Sequence, residues 1–143
     1  MKKSIEFENQ QPFEIKISEI PSSIDLNGIV IRKSMCIENS YQVAKKYPKV
    51  GLVEGLIVTI NFENRGKPMP HMWNMFCDVH FDVTKERVWM GNEEMVKTKD
   101  IKYFVVKYHN QTDFKIGELF EFCKDTIQYC DEIKDKLSKI EQK

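Results

Sequence analysis

The stretch Pro70-His71-Met72-Trp73-Asn74-Met75-Phe76-Cys77-Asp78-Val79-His80-Phe81-Asp82-Val83-Thr84 reads as a β-hairpin with polar residues placed along it at strand spacing. A two-residue turn at Cys77-Asp78 pairs Phe76 with Val79, Trp73 with Asp82 and His71 with Thr84. Directly opposite side chains share a face of the ladder, and so do diagonal neighbours. His71 and Asp82 then become diagonal neighbours on one face, close enough for the carboxylate to accept the imidazole N–H and hold the ring in one orientation. Trp73 lies beside them on that face, as core, as a shield for the His71–Asp82 bond, or as both. A four-residue loop keeps this register, whereas a three-residue loop without a bulge breaks it.

Upstream, Ser34-Met35-Cys36-Ile37-Glu38-Asn39-Ser40-Tyr41-Gln42-Val43-Ala44-Lys45-Lys46-Tyr47 reads as a helix, with Ser34 as N-cap and Pro48 as its stop. Cys36 falls in the first turn. There the exposed N–H groups and the positive end of the helix dipole favour a thiolate and can receive an oxyanion. Cys77, at the hairpin tip, and Cys123 and Cys130, in mid-helix, have no such advantage. Only three histidines occur, His71, His80 and His109, so the choice of a base for Cys36 is short. His80 is the rival to His71, as a substrate contact or a surface residue. His109, at a strand end, reads as structural.

The remaining segments are strands and one long helix. Ser4 to Phe7, Phe13-Glu14-Ile15-Lys16-Ile17, Val50 to Phe62, and Ile101 to Tyr108 carry strand character through β-branched content or period-two alternation. Pro21-Ser22-Ser23, Asp25-Leu26-Asn27-Gly28 and Asn64-Arg65-Gly66 are turns. Ile116, Phe120, Cys123, Ile127, Cys130, Ile133, Leu137 and Ile140 recur in steps of three and four. They form the stripe of an amphipathic helix over about 112–140, which covers the sheet or supplies the seam of a homodimer. The expected fold class is α+β: one domain over 1–143, with an antiparallel β-sheet packed against the helix carrying Cys36 and against the long C-terminal helix.

Composition narrows the function classes. The 143 residues carry 22 basic and 22 acidic side chains and are 41% hydrophobic. Such a chain is globular and has no net field to steer it onto nucleic acid or an anionic membrane, so neither is expected as a partner. Met1-Lys2-Lys3-Ser4-Ile5-Glu6 lacks the apolar core of a signal peptide, and no apolar run reaches bilayer length. A cytoplasmic location with reduced thiols is therefore expected. Gly-rich phosphate loops are missing and no cofactor is expected. A zinc site from Cys36, Cys77 and His80 is the main metal candidate. Strand alternation puts Cys77 and His80 on opposite faces and no Cys-x-x-Cys occurs, so the metal expectation is none.

A cysteine opening a helix, then a strand, then His-x-Trp, then a hairpin ending in Asp-x-Thr resembles the papain-like and transglutaminase-like superfamily of cysteine hydrolases. The matching pieces are Met35-Cys36-Ile37-Glu38-Asn39, Val53-Glu54-Gly55, His71-Met72-Trp73-Asn74 and Asp82-Val83-Thr84, in the family's order Cys, His, Asp. They span roughly residues 30 to 85. The resemblance implies Cys36 as nucleophile, His71 as general base and acid, and Asp82 as orienter. It also implies an amide-bearing or peptide substrate bound near Trp73, Glu54, Asn74 and His80. Glu54 is equally explained by a lysine partner or a solvated face. Arylamine acetyltransferases share the residue order, but their second half is missing here. Met35 and Ile37 flank Cys36 where the family often has an aromatic residue, and no upstream side-chain oxyanion donor stands out, Asn27 and Gln11 being the candidates. Two functions are thus expected of the sequence: a thiol-dependent amide hydrolase or acyl transferase, and a catalytically silent binding or interaction module on the same scaffold.

Overall fold

A computed structural model of the chain describes residues 4–6, 12–33, 35–59, 68–87 and 101–109. The element order is β1 (Ser4–Glu6), β2 (Phe13–Ile15), β3 (Ile17–Ser18), α1 (Cys36–Lys46), β4 (Gly51–Thr59), β5 (Met69–Phe76), β6 (Val79–Phe81), α2 (Val83–Arg87) and β7 (Ile101–His109). The helix expected over about 112–140, with Cys123, Cys130 and the dimer seam, lies outside the described residues, as do Gln11 and Ser34.

The strands form one mixed sheet in the order β1-β7-β4-β5-β6-β3, with β2 also paired to β7. β2 and β3 are separated only by Lys16, yet β2 pairs with β7 and β3 pairs with β6. A chain that crosses between two non-adjacent strands in so few residues requires the sheet to curl until its ends meet. The sheet is therefore α+β material as expected but not purely antiparallel. The β3–β6 pair is parallel, because the crossing strand enters β6's edge in β6's own direction.

Period-two alternation divides the side chains between two cores. Val53, Ile57, Trp73, Tyr103 and Val105 pack together inside the curl, with Ile15 and Ile17 against them. Leu52 and Met72, on the other face, meet Ile37 and Ala44 of α1. Spacings of three and four give α1 a buried face of Ile37, Ser40, Val43 and Ala44. Lys45 and Lys46 sit in its last turn, where cations suit the dipole, and Tyr47 caps it ahead of Pro48. The described helices contain none long and apolar enough to cross a membrane.

The hairpin turn is the two-residue turn that the sequence predicts. Phe76 pairs with Val79, Met75 with His80 and Asn74 with Phe81. Cys77 and Asp78 have φ of 51° and 63°, the pair of left-handed residues that suits the right-handed twist of the flanking strands. Neither residue is the usual occupant of its position. The double substitution Cys77→Asn, Asp78→Gly is expected to raise stability by about 0.5–1 kcal/mol. A urea midpoint that falls rather than rises would count against this turn.

Further along, the hairpin departs from expectation. The ladder ends at Asn74–Phe81, so Trp73–Asp82 and His71–Thr84 are not strand pairs. Asp82 leaves the strand and opens α2, its Oδ1 accepting the backbone N–H groups of Thr84 (3.0 Å) and Lys85 (3.2 Å). This is an aspartate N-cap, and two short-range backbone bonds to one oxygen compete successfully with two more rungs of ladder. The early end of β6 leaves β5 from Met69 to Trp73 without a described strand on that side. α1 approaches at this open edge.

Candidate active site

Three elements converge at that edge. α1 begins at Cys36, with Met35 as its N-cap residue and no side-chain cap. β5 carries His71, and the β6–α2 junction carries Asp82. Asn39 ties the arrangement together. Its amide accepts from Arg32 N (3.0 Å) and donates to Arg32 O (2.8 Å) and Thr84 Oγ1 (3.0 Å). The segment leading into Cys36, the first turn of α1 and the start of α2 are thereby held as one unit, with Asn39 itself fully buried.

His71 Nε2 and Asp82 Oδ2 lie 2.7 Å apart, with both residues buried. His71's second ring nitrogen, Nδ1, is left for the thiol, and the imidazole and the Met72 backbone N–H both act on Cys36 to favour its thiolate. Cys36, His71 and Asp82, expected from the sequence to act together, are therefore brought into one cluster.

The charges follow from the contacts. Burial pushes the Cys36 thiol up, but the hydrogen bond and charge of His71 and the Met72 N–H outweigh burial and the repulsion of Asp82, and its pKa is lowered. Burial works against a charged His71 as well. The Asp82 charge and hydrogen bond, joined by those of Cys36, overcome it and push the imidazole up to about 10. Asp82 is held below the usual carboxylate range despite burial, by His71, by the Tyr103 hydroxyl and by the Lys85 N–H. These shifts favour a thiolate beside an imidazolium with a carboxylate behind it. Asn39 N to Met35 O, at 2.8 Å, is the first rung of the helix. The amides of Cys36 and Ile37 thus precede the ladder, where an oxyanion can be received.

Among the remaining expected contacts, the surroundings differ. Trp73 is fully buried in the curl and stacked on His71, ring centroids 6.1 Å apart. Its Nε1–H donates to His80 Nδ1 at 2.9 Å, so His80 carries its proton on Nε2 when neutral, and burial lowers its pKa. Asn74 is buried and donates to Ser40 O (3.0 Å) and Gly51 O (3.3 Å), joining α1 to β4. Glu54 is neither on a solvated face nor exposed to a ligand: it is 0% exposed, with Oε1 3.1 Å from Nε2 of the equally buried His109. Asn27 makes an exposed turn with Asp25 (2.9 Å from its N–H to Oδ1). Cys77 is exposed at the hairpin tip, and the described residues contain no group of three or more His, Cys, Asp or Glu able to hold a metal.

Two contributors carry no distinguishing signal in the sequence: Asn39 is one polar residue of a helix, and Tyr103 is one residue of the strand run Ile101 to Tyr108. Tyr103 donates its O–H to Asp82 Oδ2 at 2.7 Å. The strand pattern gives no sign of the distant carboxylate.

The opposed titrations of Cys36 and His71 make a linkage prediction. His71's folded pKa lies above its ordinary 6.5, so its stabilisation is complete below 6.5 and is lost as pH rises towards about 10. Cys36's folded pKa lies below its ordinary 9.0, so its stabilisation grows as pH rises towards 9.0. Between these values the two slopes oppose each other, because the folded state keeps an imidazole proton that the unfolded state gives up and releases more readily the thiol proton that the unfolded state keeps. In Cys36→Ala only the His71 slope survives, and urea midpoints are expected to drop between pH 6.5 and 9 more steeply than in wild type. Parallel midpoint curves for the two proteins would show that no such ion pair exists.

Compared with protein-family models, with curated proteins and with solved structures, the chain finds no match in any of the three. Its functional reading rests on the chemistry of the site.

Proposed function

We propose that the protein is a thiol-dependent amide hydrolase or acyl transferase working through a Cys36 thioester, on a scaffold similar to the papain-like and transglutaminase-like enzymes. The observation that carries the reading is the clustering of Cys36 with the bonded His71–Asp82 pair, which lowers the thiol and raises the imidazole. A buried thiol without a partner would be shifted the other way.

In this reading Cys36 Sγ attacks a carbonyl carbon. The C–S bond forms as the carbonyl π pair moves to oxygen, where the α1 amides meet the charge. The tetrahedral intermediate collapses, the C–N bond breaks, and His71 Nδ1 delivers its proton to the leaving amine. Water or a second amine then attacks the thioester and gives its proton to His71. The thiolate departs and the imidazolium–thiolate pair is restored. Asp82 stays ionised throughout and holds the ring.

An activated ester tests the reading without a known substrate. Incubation with p-nitrophenyl acetate is expected to release one equivalent of nitrophenolate in a burst and leave a single acetyl group, located on Cys36 by peptide mapping. Cys36→Ala abolishes the burst. Acetyl spread evenly over the four cysteines, with no burst, would leave only a binding module.

A further inference from the structure

Asp82 is used on both sides. Oδ1 takes the Thr84 and Lys85 N–H groups at 3.0 and 3.2 Å, and Oδ2 takes His71 and Tyr103, each at 2.7 Å. Four donors saturate a carboxylate. The Oδ1 bonds tie the carboxylate to α2, and what is left to the second oxygen is how it divides its charge between two donors. One of them, His71, is the group to be aimed. The other, Tyr103, stands on β7, a separate strand that reaches the site from the far side of β4.

Tyr103 is well fitted to be a fixed point. It is 2% exposed and belongs to the core inside the curl. Its ring meets Trp73 edge-on, centroids 5.1 Å apart at 82°, and lies 6.2 Å from the His71 ring. An ordinary core tyrosine turns its hydroxyl towards water or a neutral acceptor. Here it is driven into a buried carboxylate, and the phenol's pKa is raised well above its ordinary value by burial and by the Asp82 charge. The hydroxyl therefore remains a donor over the whole working range.

We infer that Tyr103 is a positioning residue of the site, its hydroxyl fixing and tempering the Asp82 oxygen that His71 uses. It touches neither thiol nor substrate and acts only through Asp82 and His71. By drawing electron density from Oδ2 it weakens the carboxylate's hold on the imidazole proton, and by occupying Oδ2 from β7 it fixes the direction from which that hold is exerted. The inference rests on the triad reading for its consequence in catalysis, but the Tyr103–Asp82–His71 coupling can be measured without turnover.

Tyr103→Phe keeps the ring and deletes the donor. Two readouts apply. The downfield proton resonance of the His71 Nε2–H, which reports the strength of its bond to Asp82, is expected to move further downfield as Oδ2 loses its competing donor. The acetylation burst is expected to slow by about tenfold, the usual effect of losing one hydrogen bond to a charged group. Site-specific 3-fluorotyrosine at position 103 keeps the packing while making the phenol a stronger donor, and should move the resonance upfield. A resonance unmoved in Y103F, or unmoved with fluorotyrosine in a protein that folds normally, overturns the inference whatever the rates. A moved resonance in a protein whose Cys36 never acylates would instead uphold the coupling and remove the enzymatic reading.

Discussion

His71→Ala is expected to slow the alkylation of Cys36 by iodoacetamide at pH 6 by roughly 10- to 100-fold, while leaving the other three cysteines unaffected. The reason is that burial, the largest influence on this thiol, raises its pKa, and His71 supplies the two strongest opposing effects. An ordinary thiol is less than about 1% ionised at pH 6. A buried one without its imidazole is less ionised still. The gain in thiolate is partly offset because a lowered pKa makes a weaker nucleophile, which keeps the expected factor below the ratio of ionised fractions. Acylation should suffer more than alkylation, by a further factor of about 10²–10⁴, because the leaving amine also loses its proton donor. Quantitative peptide mapping of all four cysteines gives the result in one experiment. If Cys36 in His71→Ala keeps the wild-type rate at pH 6, the ion pair is absent and with it the hydrolase.

Gly55→Ala is expected to destabilise the fold by about 3 kcal/mol or more, and to prevent folding altogether if the native margin is small. A Cβ at Gly55 would run into the Phe104 backbone carbonyl and would come 2.6 Å from the Trp73 side chain. The carbonyl belongs to β7, paired with β4 on that very register, and cannot retreat without opening the ladder. Trp73 cannot retreat either, since its indole N–H is held by His80 and its ring by Tyr103. The β4–β7 register also shifts between Glu54 and Gly55, a bulge that brings the two backbones together where the glycine stands. Because Trp73 stacks on His71, any variant that does fold should also show a slower Cys36. A urea midpoint within about 1 kcal/mol of wild type would mean that β4 and β7 do not approach as described.

Glu54, paired across the ladder with Met72, the residue next to His71, shows how far local pattern reaches. A carboxylate in Leu52-Val53-Glu54-Gly55-Leu56 is conspicuous in the sequence. Solvent, a lysine and a substrate all account for it equally well on local grounds. The partner is His109, fifty-five residues away in sequence. The bulge beside Gly55 and the β4–β7 pairing place the two in contact, and neither can be read from a window of residues.

What the sequence by itself determined is local: the two-residue turn at Cys77-Asp78, the face shared by His71, Trp73 and Met75, the helix opening at Cys36 and its stop at Pro48. These follow from periodicity, turn chemistry and the proline stop, which act over a few residues at a time; the expected Ser34 cap is not among them, since α1 has Met35 at its N-cap and no side-chain cap. Only the tertiary structure decided that the sheet curls, that Asp82 abandons the strand to cap α2, that Asn39 ties α1 to that cap, and that Tyr103 arrives on the same carboxylate. Each of these is settled by competition between a local bond and a distant one, and the winner depends on which chain segments the closed sheet brings within reach.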